Sequence, residues 1–128
     1  MKKEIIAING VSKPDSPFNH VVKAGGFLFL TSQLSCDLKN NRIIGGTVEE
    51  QTRRALDNVE FLLLASGSAM SDVVKVVIYM RDLSKFSEMN TIYREYFAGG
   101  EEPARVTVQA PSPIEEIDIE IEVIALAS

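Results

Sequence analysis

The run Val73-Val74-Lys75-Val76-Val77-Ile78-Tyr79-Met80 carries an apolar or aromatic side chain at every position except Lys75. Its β-branched content predicts a strand, and period-two alternation puts Val74, Val76, Ile78 and Met80 on one side, with Val73, Val77 and Tyr79 on the other. A strand that is apolar on both sides needs cover on both faces of its sheet. The rest of the chain must supply that cover.

Two amphipathic segments are available. Thr47-Val48-Glu49-Glu50 is a capping box, in which the threonine hydroxyl meets an amide of the first turn and Glu50 reaches back. Behind it Val48, Thr52, Ala55, Leu56, Val59, Leu62 and Leu63 recur at spacings of three and four, and Gly67 stops the helix. A second helix is predicted from Ser84, with Phe86, Met89, Tyr93, Tyr96 and Phe97 on one face, ending at Gly99-Gly100. Strands are predicted over Glu4 to Ile8, Val21 to Ala24, Phe27 to Thr31, Arg42 to Ile44, Arg105 to Ala110 and Ile117 to Leu126. Gly25-Gly26 provides the positive φ angles of a two-residue hairpin turn. The order predicts an α+β chain, one mixed sheet covered by two helices on a single face. The opposite face is then bare, and its apolar character predicts burial against further copies of the chain.

With 128 residues and no linker, repeat or low-complexity stretch, the chain is expected to form a single domain over residues 1–128. One His and one Cys leave no ligand set for a His-rich zinc site, and a His-based nucleophile would rest on His20 alone. No metal is expected, and the available chemistry is that of carboxylates, Arg, hydroxyls and backbone groups. A net charge of -5, from 18 acidic and 13 basic residues, opposes nucleic-acid binding. The lone Cys36 fits a reducing compartment. The segment after Met1-Lys2-Lys3 is too short for a signal peptide's apolar region, and no stretch is long enough to cross a membrane. A cytoplasmic location is the expectation.

The last two strands carry the charged residues that could do chemistry. Alternation groups Arg105, Thr107 and Gln109 on one face, and Asp118, Glu120 and Glu122 on one face of the next strand. If Pro111 to Glu116 closes a simple hairpin, Arg105 lies opposite Glu122 and diagonal to Glu120, so that arginine and acids share a face. Such a group is either a solvated cross-strand ion pair or a site in which a guanidinium fork receives a carboxylate and a nearby Glu handles water. His20 is expected to be a loop or strand-edge residue, Cys36 a bystander thiol and Lys75 the partner of an acid.

Pro103-Ala104-Arg105 followed by Ile119-Glu120-Ile121-Glu122 resembles the C-terminal signature of the RidA/YjgF reactive-intermediate deaminases, whose older names include translation inhibitor and endoribonuclease L-PSP. Glu50-Gln51-Thr52-Arg53 with Leu56-Asp57-Asn58-Val59, Asp72-Val73-Val74-Lys75, and Asn90 with Tyr93 and Tyr96-Phe97 extend the similarity. The resemblance implies a chorismate-mutase-like fold, a mixed six-stranded sheet with two helices on one face, and a homotrimer with three clefts between subunits. It implies hydrolysis of enamine and imine intermediates of the 2-aminoacrylate type to 2-keto acids and ammonia, without cofactor or metal. Arg105 would hold the substrate carboxylate, Glu120 would position or activate water, and the backbone around Thr107 would hold the imine end. Phe18, Ser32 and Asn90 would border the substrate. Phe18 and Thr31-Ser32-Gln33 stand where Tyr and Ser-Gly-Gln are usual in that family. A non-catalytic protein of the same fold that binds small carboxylates, or regulates through them, is the alternative. Ribonuclease activity is opposed by the charge.

Overall fold

The computed structural model describes residues 2–128. Ten elements build it: β1 (Glu4–Ile5), β2 (Val21–Ala24), β3 (Phe27–Gln33), β4 (Cys36–Asp37), β5 (Arg42–Ile43), α1 (Val48–Ala65), β6 (Val73–Met80), α2 (Phe86–Tyr96), β7 (Ala104–Gln109) and β8 (Ile119–Leu126). Six strands form a mixed sheet in the order β1-β2-β3-β8-β6-β7, while β4 and β5 make a separate small hairpin. The expected α+β architecture, a mixed six-stranded sheet with two helices on one face, is what the chain adopts.

Local chemistry accounts for most elements. Thr47 caps α1 as a full capping box: its hydroxyl accepts from the Glu50 amide, and Glu50 accepts from the Thr47 amide. The inward face of α1 presents Ala55, Leu56, Val59, Leu62 and Leu63, all fully buried, against Val76, Ile78, Ile119, Ile121 and Ala125 of the sheet. Gly25 and Gly26, both with positive φ, turn β2 into β3. α2 stops at Tyr96 rather than at the glycines, because Phe97 leaves helical geometry and tucks into the core, its ring 4.8 Å from that of Tyr93.

Two sequence expectations are corrected. The last two strands do not form a hairpin: β6 lies between them, parallel to β7 and antiparallel to β8. β6, α2 and β7 instead make a strand–helix–strand crossover, the connection that parallel neighbours need. Within β6 a register shift between Val73 and Lys75 reverses the alternation, so Val73 is buried and Val74 exposed. Smaller differences lie at the ends. β1 stops at Ile5, and β3 continues through an irregularity to Gln33. β8 starts only at Ile119, since the Ile117 carbonyl and the Asp118 amide are engaged by the side chains of Arg81 and Gln51.

The face of the sheet away from the helices is uncovered and apolar. Phe27, Phe29, Val106, Val108 and Leu126, from β3, β7 and β8, are all exposed large hydrophobics. Between them run Tyr79 of β6 and Glu120 and Glu122 of β8, which are half-buried.

Candidate functional site

The sheet register separates the two residues on which the proposed chemistry depends. Arg105 pairs with Val76, a fully buried helix-side residue, so its side chain lies on the helix face. Glu120 pairs with Tyr79, one position out of phase, and belongs to the uncovered face. The shared polar face expected for Arg105, Glu120 and Glu122 therefore does not exist within one chain. β6 intervenes, and partners across a register point to the same side.

On the helix face, α2 shapes the surroundings of Arg105. Phe86, Asn90 and Tyr93, spaced four and three residues apart, lie on one stripe of the helix. Asn90 accepts a hydrogen bond from Arg105 Nη1 at 2.7 Å. The guanidinium carbon sits 4.6 Å from the centre of the Tyr93 ring and 5.5 Å from that of Phe86. Among the described residues no carboxylate stands within ion-pair distance of Arg105. The guanidinium is thus fixed in orientation by an amide and two rings while its charge stays unneutralised, as a receptor for an anionic group requires. Burial pushes the Tyr93 hydroxyl up to about 12, with Arg105 acting in the opposite direction. Thr107 lies on the same face, and its buried hydroxyl has no hydrogen-bond partner among the described residues.

On the other face, Ser32 Oγ donates to Glu120 Oε1 at 2.6 Å, and the Tyr79 hydroxyl donates to Glu122 Oε1 at 2.8 Å. The latter bond is the main cause that raises the Tyr79 pKa, followed by burial. Ser32, Tyr79, Glu120 and Glu122 line a cavity of about 240 Å³ closed on one side by Ala110 to Pro113. Ser32 is also the wall of a second cavity, of about 230 Å³, that contains Phe18 and His20. Glu120, Ser32 and Phe18 therefore gather around two adjoining hollows, whereas Asn90, Thr107 and Arg105 form a separate group on the far side of the sheet.

Sequence reasoning missed the residues that fix the loop between β7 and β8. Gln51 is fully buried. Its Nε2 reaches the carbonyls of Gly46 and Glu116 and the Asp118 carboxylate, while its Oε1 accepts from the Asp118 amide at 2.8 Å. Arg81 donates to the carbonyls of Ser112, Ile114 and Ile117 and pairs with Asp118 at 3.6 Å. A signal for Gln51 was present, a polar residue next to Thr52 on the buried stripe of the first helix.

His20 and Cys36 behave as structural groups. The Gln33 amide lies 3.2 Å from His20 Nδ1, and Nε2 has no partner at hydrogen-bond distance among the described residues. Burial lowers the His20 pKa, partly offset by the nearby Ser12 backbone. Burial likewise pushes the Cys36 thiol up, Asp37 adds to the rise, and Asn58 works against it. Lys75 is in no ion pair among the described residues, contrary to the expectation of an acidic partner. No group of three His, Cys, Asp or Glu side chains among the described residues could hold a metal ion, and no helix is long and apolar enough to cross a membrane.

Comparisons with known proteins agree with this architecture. A family model described as Endoribonuclease L-PSP matches residues 10–127. A RutC family protein of Pyrococcus horikoshii is 41% identical over 123 residues, covering 96% of this chain and 97% of that protein. A protein of Dermatophagoides farinae named 2-iminobutanoate/2-iminopropanoate deaminase is 31% identical over 124 residues, covering 97% of this chain and 96% of its own length. The crystal structure of E. coli TdcF with bound serine superposes with a TM-score of 0.85 at 27% identity, covering 98% of this chain and 99% of the other. Strand order, helix placement and sequence together show that the chain belongs to the endoribonuclease L-PSP family, the group that also goes by the names RidA, YjgF and RutC.

Proposed function

We propose that the chain hydrolyses reactive enamine and imine intermediates of the 2-aminoacrylate/2-iminopropanoate type to 2-keto acids and ammonia, at sites built between subunits of a homotrimer. The observation that carries this reading is the state of Arg105, held by Asn90 and two rings with no acid beside it, while the candidate water-handling Glu120 opens onto the opposite face. One chain cannot bring the two together, so a neighbour has to. The uncovered face is suited to that contact, because Phe29 is 42% exposed and Val106 46%, side chains that isolated domains seldom leave in water as a continuous patch. The deaminase name of a relative matched over nearly its whole length, and the serine held by TdcF, an amino acid with a free carboxylate, are in keeping with it.

In the proposed reaction the planar fork of Arg105 receives the substrate carboxylate, and the backbone near Thr107 faces the nitrogen end. Ser32 occupies one oxygen of Glu120, which leaves the other to accept a hydrogen bond from water. Water attacks the imine carbon, its proton passes toward Glu120, and the C–N π electrons move to nitrogen, which is protonated. The hydroxyl of the resulting carbinolamine then gives up its proton, the amine nitrogen takes one up, and the C–N bond breaks as the C=O bond forms and ammonia leaves. One water is consumed and no electrons are exchanged with a cofactor. The net charge of -5 disfavours the ribonuclease activity in the family's older description.

The test is to generate 2-aminoacrylate in place with a serine dehydratase and follow keto-acid release. The protein should accelerate release, and Arg105→Ala should remove the gain. Tight keto-acid binding without acceleration would make this a carboxylate-binding protein instead. Solution mass tests the assembly, and a monomer would remove the basis for an intersubunit site.

A further inference from the structure

Glu120 has hydroxyl-bearing neighbours on both sides of its strand. Strand β8 lies between β3 and β6, so Ser32 meets Glu120 from the β3 side, at 2.6 Å, while Tyr79, its register partner, flanks it from β6. Side chains paired in this way stand on one face within reach of each other. The Tyr79 hydroxyl nevertheless gives its hydrogen to Glu122 Oε1, at 2.8 Å, and both carboxylates and the phenol line the same cavity of about 240 Å³. That bond comes first and burial second, with the charges of Glu122 and Glu120 adding to them, in raising the Tyr79 pKa, so the hydroxyl keeps its proton at neutral pH. A phenol whose single hydrogen is committed to Glu122 offers the cavity only the lone pairs of its oxygen. The Ser112 hydroxyl in the lining is turned to its own loop, where it accepts from the Ile114 amide at 3.1 Å.

Resting on the deaminase reading above, we infer that Tyr79 is a second holder of the hydrolytic water, and that Glu122 acts through it as a positioning residue. A water that attacks an imine carbon has to aim a lone pair at that carbon, which leaves its two hydrogens for the protein to hold. The oxygen of Glu120 that Ser32 leaves free accepts one, and the Tyr79 oxygen accepts the other. On attack the first hydrogen passes to Glu120 as the new C–O bond forms and the C–N π pair moves to nitrogen. The second stays on the water oxygen, which becomes the carbinolamine hydroxyl. Tyr79 neither gains nor loses a proton. Without an acceptor at Glu122, the tyrosine hydrogen is released to turn toward Glu120 and take the place of the water. The substrate carboxylate lies outside this arrangement, since Arg105 receives it on the opposite face of its own sheet and, in the proposed assembly, from another chain.

The experiment measures kcat and KM for 2-iminopropanoate, made in place by a serine dehydratase, in the parent, Tyr79→Phe, Glu122→Leu, Glu122→Gln and the Tyr79→Phe/Glu122→Leu double variant. Solution mass is recorded for each. Tyr79→Phe removes a single oxygen atom, and kcat should fall about tenfold or more while KM stays within about twofold of the parent. Glu122→Leu should lower kcat to a similar extent, and Glu122→Gln, which keeps an acceptor for the phenol, should regain part of that loss. The double variant should be no worse than Tyr79→Phe alone, because Glu122 acts only through the tyrosine. Four results overturn the role of Tyr79 and leave the deaminase reading standing: a parental kcat in Tyr79→Phe, a rise in KM in place of the fall in kcat, separate losses that add in full in the double variant, or a loss of kcat matched by lost assembly. No acceleration by the parent itself overturns the deaminase reading and this inference with it.

Discussion

Replacing Gln51 by Leu isolates what the buried amide does for the loop that walls the Glu120 cavity. Leucine keeps nearly the same volume, so the cavity cost of a truncation is small and the loss is one of hydrogen bonding. Four bonds disappear. The carbonyls of Gly46 and Glu116 belong to exposed residues and can turn to water, whereas the Asp118 amide is half-buried and 2.8 Å from the lost acceptor. An unsatisfied buried amide costs about 1–3 kcal/mol, and with partial loss at the other three the sum is about 2–3 kcal/mol. That corresponds to a fall in Tm of about 8–12 °C for a chain of this size. Urea unfolding at fixed protomer concentration should show a lower midpoint with an unchanged m-value. Combined with Arg81→Leu, the loss should depart from additivity, since the two side chains pin one segment from Ser112 to Asp118 and both meet Asp118. A Gln51→Leu protein within about 0.5 kcal/mol of the parent would refute the view that this amide is what anchors the loop.

Arg105→Lys keeps a positive charge but loses the planar fork and the stacking on Tyr93, so kcat/KM for the imine should fall about tenfold or more and lie between parent and Arg105→Ala. Parental kinetics in the lysine protein would show that charge alone suffices. Acid stability tests His20. Its folded pKa is lowered from 6.5, so the unfolded chain takes up the proton first on acidification. The stability contributed by the neutral ring is complete above about pH 6.5 and is lost as pH falls through and below that value. Between pH 8 and 5.5 the parent should lose more stability than His20→Leu in urea titrations, and parallel losses would contradict the burial argument.

The parts of the fold that were legible in the sequence are those set by neighbours along the chain. The capping box at Thr47, the stripe from Val48 to Leu63, the Gly25-Gly26 turn and the β-branched run from Val73 each carry their signal within one element. The need for cover on both faces of that run follows from composition too, and the apolar patch of Phe27, Phe29 and Val106 is its counterpart in the structure. Partner choice between strands was not local. Pro111 to Glu116 is long enough for a hairpin, and nothing in those residues forbids one. What decided against it is the order strand, helix, strand from Val73 to Gln109, because a helix returning across the sheet brings β7 alongside β6 in parallel and leaves β8 the opposite edge of β6. Arg105 and Glu120 were identifiable by residue type and resemblance, but their separation by the sheet is visible only in the register. Val73 and Val74 changed sides for a similar reason, a bulge imposed by pairing with β8 rather than by their own preference.

The central claim, that a working site draws Arg105 from one chain and Glu120 from another, is tested by complementation. Arg105→Ala and Glu120→Gln proteins, each without deaminase activity, are combined in equal amounts under conditions that allow subunits to exchange. A site is intact when its arginine comes from the Glu120→Gln chain and its glutamate from the Arg105→Ala chain, which random mixing yields in about one quarter of sites. Recovery of about one quarter of parental activity is expected. Mixed assemblies confirmed by mass, with no activity recovered, would contradict it.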